Sequence, residues 1–175
     1  ISIGIGGSAL FLRQFRSEPL SLGLIGAIGI LGVGILSLTT NFFIPLNFVF
    51  FGILCLISLM GWNALRKYYR NPNLKKEYFI LMISIFFYWL LGMRKGQPFD
   101  TGLYHIPFIH WIQTAALPIG MGNIHSRFGT WNFWFSVCAG ISSGNVIPLS
   151  VYCMNMVLVG FAAIDFFNWI KDERN

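Results

Sequence analysis

His105 and His110 are the residues of this 175-residue chain that first suggest chemistry. Imidazoles ligate metals and haem, and they move protons near neutral pH. A five-residue separation on a helix is a rotation of about 140°, so the two rings do not share a face and cannot clamp one metal. The third histidine, His125, falls between apolar stretches, where a loop is expected. Gly140-Ile141-Ser142-Ser143-Gly144 spells the G-x-S-x-G of a serine hydrolase elbow. That elbow needs a strand before it, a helix after it and a later histidine. All three histidines precede it here, and hydrolysis is rejected. The six acidic residues are scattered and mostly fall in expected loops, which removes paired carboxylates for acid–base work. Cys55, Cys138 and Cys153 lie inside apolar stretches with no C-x-x-C, and they read as small buried hydrophobes rather than a disulfide or zinc framework. No cofactor, metal or enzymatic activity is expected.

Trp131-Asn132-Phe133-Trp134 is the strongest constellation. Two indoles three apart lie on roughly one helix face and can offer an electron-rich wall to a planar ligand, above all a cationic one. The plainer account is an aromatic belt at a membrane interface. The sharper one draws on Asn47, Gln113, Tyr152, Asn155 and Asn168, which are polar groups in apolar stretches. Such groups are costly in lipid and face a cavity or another helix. Aromatics with a few amides suit a planar heteroaromatic solute. Asp165 is the one acid expected within a span, close enough to its end to be reached by water.

These residues need elements to hold them. Six stretches, 20–38, 43–65, 77–93, 102–122, 129–146 and 147–170, are apolar and near the roughly 20 residues that cover a ~30 Å hydrocarbon layer. Residues 1–12 are as apolar but too short, and read as the end of a further helix. At 55% hydrophobic and 10% charged residues, no soluble domain of appreciable size fits. Threading the six stretches back and forth puts every Lys and Arg except Arg94 and Lys95 on one side. The positive-inside rule makes that side cytoplasmic, with the C-terminus inside. The formal charge of +6 is thereby explained by lipid headgroups and topology, since no extended basic face exists for nucleic acid. Gly23, Gly26, Gly29, Gly32 and Gly34 leave a groove along the first stretch for close helix packing. No strand precedes them, so they are not a nucleotide loop.

The reading is all-α: one polytopic transmembrane domain, residues 1–175, of six full spans and a partial first helix. Two stretches open with Ile-Pro-Leu, at Ile44-Pro45-Leu46 and Ile147-Pro148-Leu149, and both run outside to inside. Two three-helix units become parallel when one helix intervenes, which gives a 3+1+3 arrangement with units 1–70 and 102–175 and a connector over 71–101. Parallel repeats are a transporter plan with solute held between the halves.

At this point the chain resembles the nicotinamide riboside transporter family, the Pnu-type vitamin transporters. The similar features are Gly61-Trp62 before a basic loop, Pro98-Phe99-Asp100 ahead of the second unit, Trp131-x-x-Trp134, and Asn155 followed by Trp169 and Lys171. The chain departs from that pattern at Asp165, where a Gly is expected, and in a longer interval between 100 and 131. The resemblance implies energy-independent facilitated diffusion of nicotinamide riboside or a related vitamin nucleoside across a bacterial-type inner membrane. It implies substrate-binding roles for Trp131, Trp134, Asn155, Asn47 and Asp100. Self-association into a homo-oligomer stays open. The rival expectation is a non-catalytic integral membrane subunit of a large membrane complex.

Overall fold

Long runs of Leu, Ile and Phe without internal proline leave the backbone one way to satisfy its polar groups without water, and that is the helix. The computed structural model describes residues 1–8, 20–68, 74–93, 104–117, 120–123, 126, 133–142 and 149–172. Among the described residues all regular structure is helical: α1 (Ser2–Ser8), α2 (Leu22–Asn41), α3 (Phe48–Tyr68), α4 (Leu74–Met93), α5 (Ile106–Thr114), α6 (Phe133–Ile141) and α7 (Leu149–Asp172), with a 3-10 turn at Met121–Asn123. Among the described residues two helices, α2 and α3, are long and apolar enough to cross a membrane. α4, with 20 residues, and α7, with 24, match them in length.

The expected spans 102–122 and 129–146 are interrupted: α5 gives way to bends at Ala115 and Ala116, and α6 gives way to a bend at Ser142. Hydropathy counts apolar residues and ignores punctuation. Pro107 sits in the first turn of α5, and Gly120 takes a left-handed φ of 89° just before the 3-10 turn. Among the described residues the fold has four long helices, the interrupted α5 and α6, and α1 alongside. Pro45 is also displaced from its expected place: it precedes α3 by three residues, and Asn47 occupies the capping position. Pro148 lies outside the described residues.

α2 is the axis of the fold, in contact with α1, α6, α7 and α4. Its glycines make this physically possible. A Cβ at Gly29 would strike the Ser2 carbonyl, and one at Gly6 would strike the Ile25 carbonyl, so α1 and α2 meet backbone to backbone. Gly23 and Gly26 receive Phe161 of α7, and Gly34 receives the ring of Phe133 of α6. The order of these contacts gives direction. α1 runs antiparallel to α2 and parallel to α3, where Gly4 meets Ser58 and Gly7 meets Gly61. α7 is antiparallel to both α2 and α4.

α5 and α6 run the same way as each other. His105 and Phe108 stack on Phe135, while Gln113 bonds the carbonyl of Ala139. Both end where α2 ends. An up-and-down second unit would have α5 opposed to α6, so the second half is not a copy of the first in this respect. The core includes Leu22, Val33, Leu54, Ile112, Val137, Phe161 and Ile164. The outside is apolar as well: Phe48, Leu56 and Met60 of α3, Phe79 and Met82 of α4, and Phe166 of α7 are exposed.

Candidate functional site

An aromatic cluster joins α5 to α6. Pro107 fits the first turn of α5 because that N–H would have no helical partner. The turn places Tyr104 edge-on to His105, with centroids 4.5 Å apart, and His105 lies 5.0 Å from Phe135. Phe108 completes the group at 5.4 Å from Phe135. Tyr104, His105 and Phe135 are half-buried, and Phe108 is buried. Trp134, next to Phe135 on α6, is half-buried and packs against the core. The starts of α5 and α6 thus offer several π faces and one imidazole to a planar group.

Their ends converge on Asn41, the last residue of α2. Its amide nitrogen donates to the carbonyls of Ile112 at 2.9 Å, Ala115 at 3.1 Å and Ile44 at 3.3 Å. The Leu117 N–H returns a bond to the Asn41 carbonyl at 2.7 Å, and the Leu46 N–H donates to Ile112 at 2.9 Å. Gln113 donates to the Ala139 carbonyl and to the Ser142 hydroxyl. Ser142, the centre of the hydrolase-like spelling, is therefore a helix-end residue. It also donates to Ala139.

At the other end of α2 the polar groups are acidic. Ser21 caps the helix by accepting the Leu24 N–H at 2.9 Å, and its hydroxyl donates to Asp165 of α7. Glu77 of α4 is 1% exposed. One of its oxygens accepts the Leu22 N–H at 3.0 Å, and the other accepts the Asn168 amide at 2.9 Å. A carboxylate at a helix N-terminus is favoured by unpaired N–H groups and the helix dipole. Beside this knot a cavity of about 290 Å³ is lined by Leu22, Trp62, Leu65, Arg66, Leu74 and Tyr78.

Of the expected binding residues, Trp134 lies on α6, half-buried against the core. Asn47 is a helix cap, its oxygen accepting the N–H groups of Val49 at 3.0 Å and Phe50 at 3.3 Å. A polar residue just before an apolar run is a start signal for a helix before it is a ligand. Asn155 is exposed on α7. Trp131 and Asp100 lie outside the described residues. His110 is exposed while His105 is half-buried, in keeping with their different faces. Among the described residues no three His, Cys, Asp or Glu side chains form a metal-holding group.

Glu77 and Asn41 escaped sequence reasoning. Glu77 opens the stretch 77–93 and lies in the first turn of α4, where the sequence assigns it no role. Asn41 follows an apolar run and carried no further signal. No curated protein and no solved structure is a match for the chain. A family model described as Domain of unknown function (DUF8201) matches residues 1–175, the full sequence, and the chain belongs to that family.

Proposed function

We propose that this chain is a membrane-embedded module that passes a small planar solute, a heteroaromatic nucleoside of the nicotinamide riboside type, by facilitated diffusion. The observation that carries the reading is the parallel pair α5 and α6, interrupted after Thr114 and Ile141, with aromatic rings packed between them. Interrupted helices at membrane depth are tolerated where they are buried in protein or line a cavity, and transporters build mid-depth sites from them. A pyridinium stacked on such rings gains about 0.5–2 kcal/mol when desolvated. Trp134 and its sequence neighbour Trp131 are the indoles proposed to form the wall, with Asp100 as the counter-charge.

Membrane embedding is supported by the apolar outer faces of α3, α4 and α7, which in water would form one large sticky surface. The orientation follows from charge. α3 ends, α4 begins and α7 ends at the Glu77 end, and these termini carry Arg66, Lys75, Lys76 and Lys171. That end is proposed to face the cytoplasm of a bacterial-type inner membrane.

Uptake of labelled nicotinamide riboside into proteoliposomes tests the reading. The Trp131→Ala/Trp134→Ala double variant should lose at least about tenfold in rate while inserting normally. Uptake undiminished in that variant, or none by the unmutated protein, would end it.

A further inference from the structure

We infer that the cavity between α3 and α4, beside Glu77, binds an anionic phospholipid, with the lipid phosphodiester on Arg66. α3 and α4 follow one another in the chain, yet they lean on different partners. α3 packs on α1 and α6, while α4 packs on α7 and α2. The cavity of about 290 Å³ lies between their adjoining ends. Trp62, Leu65 and Arg66 form its wall on α3, and Leu74 and Tyr78 its wall on α4. Spacings of three and four residues make each wall one helix face. Leu22, the first residue of α2, completes the lining and is 1% exposed.

The charge at this place is one-sided. Arg66 is the charged residue of the lining, and no acid accompanies it among the described residues. Glu77, next to Tyr78 in the chain, is turned away: its oxygens accept the Leu22 N–H and the Asn168 amide. Lys75 and Lys76 are exposed in the first turn of α4. Cations in a first turn oppose the helix dipole, and an anion at the cavity mouth removes that conflict.

A phosphodiester fits the residue types present. A guanidinium offers phosphate a planar fork of donors. Trp62 and Tyr78 each join an apolar ring to a polar tip, as side chains at headgroup depth do. Ligand cavities run from about 300 to 1,000 Å³, so this one holds a headgroup rather than a whole lipid. An acyl chain has a path outside it. Leu59, one turn before Trp62, and Met82, one turn after Tyr78, are exposed apolar side chains on the same helix rows. Free phosphate would gain nothing from that path, which favours lipid as the occupant. Basic pockets between helices on the cytoplasmic side are where anionic headgroups dock. The site rests on membrane embedding and on the orientation proposed above, and it is independent of the nucleoside. Its occupant bridges α3 to α4.

The test uses the full chain in a neutral detergent at constant ionic strength, with no nucleoside. Phosphatidylglycerol should raise the thermal midpoint by about 3 °C over phosphatidylcholine, and free glycerol phosphate should not. Native mass spectrometry should retain one phosphatidylglycerol per chain. Arg66→Gln alters an exposed side chain, so it should melt like the unmutated protein without lipid and lose the response. Lys171→Gln, a cation at the same end but outside the lining, should keep it. Equal midpoints in the two lipids, a rise reproduced by glycerol phosphate, or a response kept by Arg66→Gln overturns the site. So does a response that both variants lose alike, which is diffuse surface charge. A chain that stays monodisperse without detergent would fell membrane embedding and the site together. Absence of nucleoside uptake with the lipid response intact would fell the transport reading alone.

Discussion

The two ends of α2 solve the same problem in opposite ways. At its start, a serine and two carboxylates from α4 and α7 meet helix N–H groups and an amide, and the described contacts pair both oxygens of Glu77. At its finish, Asn41 ties off carbonyls with its nitrogen, while its oxygen and two nearby serine hydroxyls have no protein partner. A buried polar network that is satisfied fixes one arrangement, and one left partly open keeps polar atoms unpaired at a cost. The first end is a staple and the second is left partly open. Long helices α2, α4 and α7 meet at the staple, while α5 and α6 finish at the open end.

Removing the staple should cost most. Glu77→Ala strands the Leu22 N–H and the Asn168 amide in a buried position and should destabilise by about 3–5 kcal/mol, read as a large drop in the detergent thermal midpoint. Glu77→Gln keeps one acceptor oxygen and should lose roughly half as much. Equal stability of Glu77→Ala and the unmutated chain would erase the distinction between the ends.

Asn41→Ala ranks next, at about 2–3 kcal/mol, because three carbonyls lose a neutral donor. Asp165→Asn keeps an acceptor for Ser21 and should cost under about 1 kcal/mol in the same melt. Ser136→Ala should be the smallest change, within about 0.5 kcal/mol of zero and on the stabilising side. A cost there like that of Asn41→Ala would mean the hydroxyl is engaged after all, and the two ends would be alike.

Much of the scaffold was legible. The stretches 20–38, 43–65, 77–93 and 147–170 correspond to α2, α3, α4 and α7 with ends shifted by a few residues. The glycine period of α2 announced close packing, and Gly29 and Gly34 meet a backbone and a ring. The interruptions after α5 and α6 were not legible, since 102–122 and 129–146 are as apolar as a true span and only Pro and Gly inside them hinted at breaks. The amides misled for a related reason. Asn47, Asn155 and Asn41 are alike in sequence, each an amide in an apolar setting. One is a cap, one is exposed, and one ties three helix ends together. What separates them is the neighbour each meets across the bundle, and those neighbours come from distant parts of the chain. Asn41 finds Ile112 and Ala115; Glu77 finds Leu22 and Asn168.

The glycine-lined faces of α2 carry a consequence for biogenesis. α6 and α7, which cover two of its faces, follow it in the chain by roughly 90 and 110 residues. At about 5–20 residues per second, those faces wait on the order of 5–20 s for their partners. α1 precedes α2 and can shield one flank throughout that interval.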